Sequence, residues 1–137
     1  MAEVGCCRLV AIPKFSDDRG SLSFVQPGPL LPFDIRRIYY LYDIPSDRER
    51  GAHGHRNLQQ LMIAVAGAVN VECDDGREKR TFRLDAPDKG LYVCPMIWRR
   101  LSGFSAGTVC LVLASEPYEE SDYFRSYDDF LSVALRA

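Results

Sequence analysis

The stretch Arg50–Gly67, RGAHGHRNLQQLMIAVAG, limits the fold most sharply. Its second half, LMIAVAG, is apolar enough to form a buried strand. Its first half holds His53 and His55, the only two histidines of the chain, two positions apart. Side chains alternate along an extended segment, so both imidazoles fall on one face of a sheet and point into one cavity. Two titratable rings sharing a cavity mark the place to look for an active site.

Turn signals cut the rest of the chain into short strands. Residues 7–12 read as a first strand, Lys14–Gly20 as a polar turn and Ser21–Gln26 as a second strand, the opening of a hairpin with Arg19 at its tip. An arginine on a barrel rim can reach an anionic ligand. Three prolines between Pro27 and Pro32 forbid regular structure there. Asp34–Asp43, DIRRIYYLYD, is rich in β-branched and aromatic residues and predicts a strand. Arg37, Tyr39 and Leu41 share one face; Arg36, Ile38, Tyr40 and Tyr42 share the other. Both faces are mixed, so alternation alone does not say which is interior. An arginine and a tyrosine pointing inward are costly without a partner, so that choice implies a ligand.

Further on, Ala68–Cys73 and Lys79–Leu84 flank the turn Asp74-Asp75-Gly76, a hairpin signal. Leu91–Pro95 and Thr108–Ser115 predict strands, and Met96–Phe104 between them carries the single tryptophan, Trp98, followed by Arg99 and Arg100. Ser126 with Asp129 three residues on forms a capping-box pattern, and Phe130, Val133 and Ala134 follow at helical spacing. About eight to ten short strands and one terminal helix fit an all-β jelly roll or small barrel. The mouth or interior of such a barrel is the usual ligand site.

At 137 residues the chain is expected to be one domain, 1–137, with a sizeable core. No apolar run approaches the ~20 residues of a membrane helix, and no secretory leader is apparent at the N-terminus. The five cysteines, Cys6, Cys7, Cys73, Cys94 and Cys110, follow no metal or disulfide spacing. They are expected to be reduced core residues of a cytoplasmic protein. A net charge of −2 argues against non-specific nucleic-acid binding. Fourteen of the seventeen basic residues are arginine. A planar guanidinium fork suits phosphates and carboxylates, but a genome rich in G and C also favours Arg codons, so only arginines inside motifs carry weight.

The spacing Gly51, one residue, His-x-His, four residues, Gln60, six residues, Gly67 resembles the first motif of the cupin superfamily, small β-barrels that often hold a metal with two His, a Glu and a later His. Here a neutral amide, Gln60, stands at the Glu position. Gly90–Arg100, GLYVCPMIWRR, offers arginines where the later His is expected. Two imidazoles and an amide make a poor ligand set for a divalent metal, so the pair reads as acid/base groups, with neither metal nor cofactor expected.

The segments RRIYYLYDIP, RGAHGH, KGLYVCPMIW and VLASEPYEESDYFRSYDDF resemble the sugar-nucleotide 3,4-ketoisomerases of the cupin fold, over about Phe15 to Phe130. The resemblance implies a cupin-type jelly-roll β-barrel with a short C-terminal helix. It implies an isomerase acting on TDP-4-keto-6-deoxyglucose in the synthesis of 3-amino-3,6-dideoxy sugars. It also implies a metal-free homodimer whose N-terminal strands exchange between subunits. By position, His53 matches the catalytic base, His55 the second active-site histidine, Tyr39 a pocket tyrosine and Arg50 the arginine that opens the R-G-x-H-x-H motif. The family varies at Arg19 and Arg99, positions implied to steer stereochemistry at C4. Gly54 stands where Ala or Ser is commoner.

The chemistry fits independently. Moving a ketone from C4 to C3 needs a base for the C3 proton, and one with a pKa near neutral suits the task. Donors such as His55, Tyr39 and an arginine serve the enediolate oxygens, and Arg37 and Arg50 are candidates for the diphosphate. A His and a Tyr in a barrel also suit a sugar-nucleotide 3,5-epimerase, and a non-catalytic sugar-binding cupin or an iron dioxygenase is a further alternative.

Overall fold

The computed structural model describes residues 3–136. In chain order the strands are β1 (Arg8–Ala11), β2 (Lys14–Asp17), β3 (Gly20–Ser23), β4 (Arg37–Leu41), β5 (Arg50–His55), β6 (Gln60–Ala66), β7 (Val69–Asp74), β8 (Lys79–Leu84), β9 (Lys89–Val93), β10 (Trp98–Ser102), β11 (Val109–Ala114) and β12 (Tyr123–Phe124), followed by helix α1 (Tyr127–Ala134). One antiparallel sheet has the order β1-β9-β6-β11-β4, a second β12-β5-β10-β7-β8, and β2-β3 form a separate hairpin. This is the expected all-β jelly-roll barrel with a short C-terminal helix.

Apolar side chains from both sheets meet in one core: Leu61, Leu91 and Val112 from the first, Val69, Val71 and Leu101 from the second. Each is at most 2% exposed. Central strand β6 is buried along its first five residues, as its apolar run requires. It ends at Gly67, whose φ of 71° and contact with Thr108 leave no room for a side chain. Ser126 caps α1 by accepting a hydrogen bond from the Asp129 N–H at 3.3 Å. The helix buries Phe130 with Trp98 and Phe124 in a second apolar cluster. A Cβ on Gly54 would approach Phe130 Cδ1 at 3.1 Å, so here the aromatic ring fills the space of the commoner methyl.

Two expectations are corrected. The first strand does not form a hairpin with the segment after Gly20; Lys14–Asp17 is itself a strand and pairs with Gly20–Ser23, while β1 lies beside β9. A two-residue turn at Asp18-Arg19 is enough to reverse the chain, so the polar stretch before it is free to extend. Nor are all the cysteines reduced: Cys6 and Cys94 form a disulfide, with Cα atoms 6.1 Å apart. Register is the reason. Arg8 faces Tyr92 across the β1–β9 ladder, and the same register continued two residues sets Cys6 against Cys94. Spacing along the chain carries no trace of that pairing. Among the described residues, no helix is long and apolar enough to cross a membrane.

Candidate active site

The site begins with a bulge. On β10, Arg99 faces His53 but Leu101 faces Arg50, so Gly51 and Ala52 together oppose Arg100. Gly51 has φ 69°, and a Cβ there would come within 3.1 Å of Leu101 Cδ1. That explains the glycine in R-G-x-H: the bulge needs a residue free to adopt a left-handed backbone. Beyond it, His53 and His55 point the same way, as period two demands, with ring centroids 4.8 Å apart and planes at 89°.

The two rings have different surroundings. His53 lines a cleft of about 510 Å³. His55 is 1% exposed and lies behind the cleft wall. Its Nδ1 is 3.0 Å from Asp122 Oδ2, and Asp122 Oδ1 accepts the Asn57 N–H at 2.7 Å, which fixes the carboxylate. The Nε2 of His55 is buried without a partner. Tyr123, opposite His55 on β12, packs its ring 4.3 Å from His55 and 5.1 Å from His53.

Burial, then the charge of Arg99, lowers the pKa of His53 to about 3 and that of His55 to about 2. Both imidazoles are therefore neutral at pH 7. The His55–Asp122 contact is a hydrogen bond donated by a neutral Nδ1–H, not an ion pair, and it leaves the ring's lone pair at Nε2. Both values lie below the near-neutral one expected from the sequence, because the rings are buried and guanidinium groups surround them.

Arg99 is the chief of these. It is 1% exposed, and burial pulls its pKa below the usual arginine range. Its Nε and Nη2 donate to the Ile97 carbonyl at 3.2 and 3.0 Å, and its Nη1 donates to Gln60 Oε1. The Gln60 amide then donates to the Tyr39 hydroxyl at 2.9 Å. No carboxylate pairs with Arg99 among the described residues. A buried cation without a counter-charge is costly, and an anionic ligand would offset that cost.

The β4 ambiguity resolves here. Arg37, Tyr39 and Leu41 line the cleft, and Ile38 and Tyr40 face out. Burial raises the pKa of Tyr39, so its phenol stays protonated. Since its oxygen accepts from Gln60, its own O–H is left for the cleft. Arg37 lies 5.3 Å from the Tyr39 ring and 5.8 Å from the Tyr118 ring, with its Nε buried and unpartnered.

Of the residues singled out in the sequence, His53, Tyr39, Arg37, Arg50 and Arg99 line one cleft over an apolar base of Met62, Leu101 and Val112. His55 and Gln60 stand directly behind. Arg19 is not brought there. It sits at the β2–β3 tip, its side chain 86% exposed, and pairs with Asp17 at 2.6 Å. The hairpin joins neither five-stranded sheet, so nothing among the described residues carries its tip to the cleft. Sequence reasoning missed Asp122, Tyr123 and Arg125. Arg125 lines the cleft, stacks 3.9 Å above the Tyr123 ring and pairs with Glu120 at 2.9 Å. The acidic, aromatic tail held the signal, but a two-residue strand leaves no periodicity to read.

A neutral imidazole beside several guanidinium groups and a phenol can remove a proton next to a carbonyl while the cations hold an anionic tail. The comparisons agree. Residues 6–135 match the family FdtA (WxcM-like, C-terminal). The TDP-4-oxo-6-deoxy-alpha-D-glucose-3,4-oxoisomerase of Aneurinibacillus thermoaerophilus is 39% identical over 123 residues, covering 90% of this chain and 88% of that protein. A 3,4-ketoisomerase from Helicobacter canadensis superposes with a TM-score of 0.91 at 38% identity, over 94% of this chain and 97% of that one. A histidine-to-asparagine mutant of the 3,4-ketoisomerase QdtA from Thermoanaerobacterium thermosaccharolyticum, in complex with TDP-4-keto-6-deoxyglucose, superposes with a TM-score of 0.91 at 36% identity, over 93% of each chain. By sequence and by fold alike, the chain belongs to the TDP-sugar 3,4-ketoisomerases.

Proposed function

We propose that the chain, as one domain over residues 1–137, moves the ketone of TDP-4-keto-6-deoxyglucose from C4 to C3 by His acid/base catalysis. The observation that carries this reading is the gathering of His53, Arg99 and Tyr39 in the lining of one cleft, His53 and Arg99 as cross-strand neighbours. His53 takes the proton from C3, and the electron pair left behind forms the C3–C4 double bond of an enediolate, with charge on the C4 oxygen. Tyr39 and Arg99 stabilise that oxygen. The C3 hydroxyl proton then passes to the C4 oxygen, the proton taken up by the protein is delivered to C4, and the ketone stands at C3. One carbon is oxidised and its neighbour reduced, so no external electron carrier enters the balance.

Arg37, Arg50 and Arg125 hold the diphosphate as forked donors. Its negative charge offsets the guanidinium charge that depresses His53, lifting the imidazole back toward the range in which it both accepts and returns a proton. His55, anchored by Asp122, stabilises the charge that His53 acquires. Arg19 reaches a cleft by exchange of the β2–β3 hairpin within a homodimer. The product serves the synthesis of 3-amino-3,6-dideoxy sugars in the cytoplasm.

Incubation with TDP-4-keto-6-deoxyglucose and carbon NMR of the product tests the reading. The carbonyl signal is expected to move from C4 to C3. Inverted centres with the ketone still at C4 would instead show an epimerase.

A further inference from the structure

Four of the five cysteines gather on the side of Arg99 away from His53, and the isomerisation uses none of them. On β10, Arg99 is flanked by His53 on β5 and Cys73 on β7. The sulfurs of Cys6, Cys7 and Cys94 all lie within 4.8 Å of one another. A hydrogen bond from the Cys73 thiol, the Cys94 backbone N–H and the charges of Arg99 and Arg80 lower the pKa of Cys7, against the effect of its burial. Cys7 is therefore a thiol of lowered pKa within reach of the Cys6–Cys94 disulfide. Access is uneven: Cys7 is 2% and Cys94 6% exposed, whereas Cys6 is only partly buried.

We propose that Cys6, Cys7 and Cys94 form a thiol–disulfide exchange site that reacts with small disulfides and thiols of the glutathione class through Cys6. In the reduced protein the Cys6 thiolate attacks a glutathione disulfide; a mixed disulfide forms and one glutathione thiolate leaves. The Cys94 thiolate then attacks the Cys6 sulfur, closing the Cys6–Cys94 bond and releasing the second glutathione. Two protein thiols are oxidised and one small disulfide is reduced to two thiols. The Cys7 thiolate next attacks the Cys94 sulfur, a Cys7–Cys94 bond forms and Cys6 leaves as thiolate, with no net change in oxidation. The bond thus migrates inward and frees the exposed sulfur.

Equilibration with reduced and oxidised glutathione, followed by acid quenching, alkylation and non-reducing peptide mapping, tests the site. Wild-type protein is expected to yield Cys6–Cys94 together with a minor Cys7–Cys94 bond, and the Cys6→Ser variant Cys7–Cys94 alone. Five alkylated thiols at every glutathione ratio would overturn the proposal. So would wild-type protein lacking any Cys7–Cys94 peptide, a result that does not depend on the variant folding.

Discussion

The two faces of β4 invert the usual order. A strand in a soluble sheet normally turns apolar residues inward and polar ones to water. Here Arg37 and Tyr39 point into the cleft, while Ile38 and Tyr40 are 56% and 59% exposed on the outside. The outer apolar surface continues through Val65, Phe24 and Val25 around a depression of about 320 Å³. A polar interior is affordable only where a charged ligand completes it, and an apolar exterior of this extent marks a contact surface. We propose on this basis that the inside takes the nucleotide sugar and that the homodimer contact lies on the outside.

The comparison is most severely tested from inside. His53→Asn is expected to lower kcat by about 10²–10⁴-fold with KM within a few-fold, measured by steady-state kinetics. Less drastic is Arg99→Met, which removes the buried cation but keeps its bulk. The ratio kcat/KM is expected to fall about 10–100-fold, mainly through kcat, the range of a lost charge-assisted hydrogen bond to the enediolate oxygen. Because Arg99 helps to depress both imidazoles, their pKa values should rise in this variant, read by proton NMR titration. If only the KM moved, Arg99 would be a binding group without electrostatic hold on the histidines.

On the outer face, Tyr40→Asp is expected to weaken dimerisation by about tenfold or more, seen by analytical ultracentrifugation, while the cleft keeps its architecture. An unchanged dissociation constant would place the dimer contact elsewhere. The last effect concerns pH. The unfolded chain binds protons at both imidazoles near 6.5, whereas the folded chain does so only at about 3 and about 2. The unfolded state therefore holds more protons between these limits, and stability falls as pH is lowered from about 6.5. Thermal melts across that window check the sign, and His53→Asn should flatten the slope.

Most of the architecture was legible because strands announce themselves through turns and apolar runs. The β7–β8 hairpin, the buried β6 and the capped α1 all follow from local chemistry. The His pair was legible because period two is a property of any strand. Three things were not. The orientation of β4 depends on what the cleft binds and what covers the outer sheet, neither of which is a local preference. Tyr123 reaches the site through a two-residue strand and Asp122 through the single 3-10 turn Glu120–Asp122 before it, both too short to leave a pattern. Cys6 meets Cys94 only through the β1–β9 register, 88 positions apart along the chain.

The central claim is that His53 moves the C3 proton within a cation-lined cleft. Its most direct test is exchange of that proton in D₂O, followed by proton NMR of the TDP-linked ketosugar, with wild type beside His53→Asn. Loss of the C3 signal is predicted for the wild type, and its persistence, with substrate still bound, for the variant. Exchange in the variant within a few-fold of the wild-type rate would contradict the assignment.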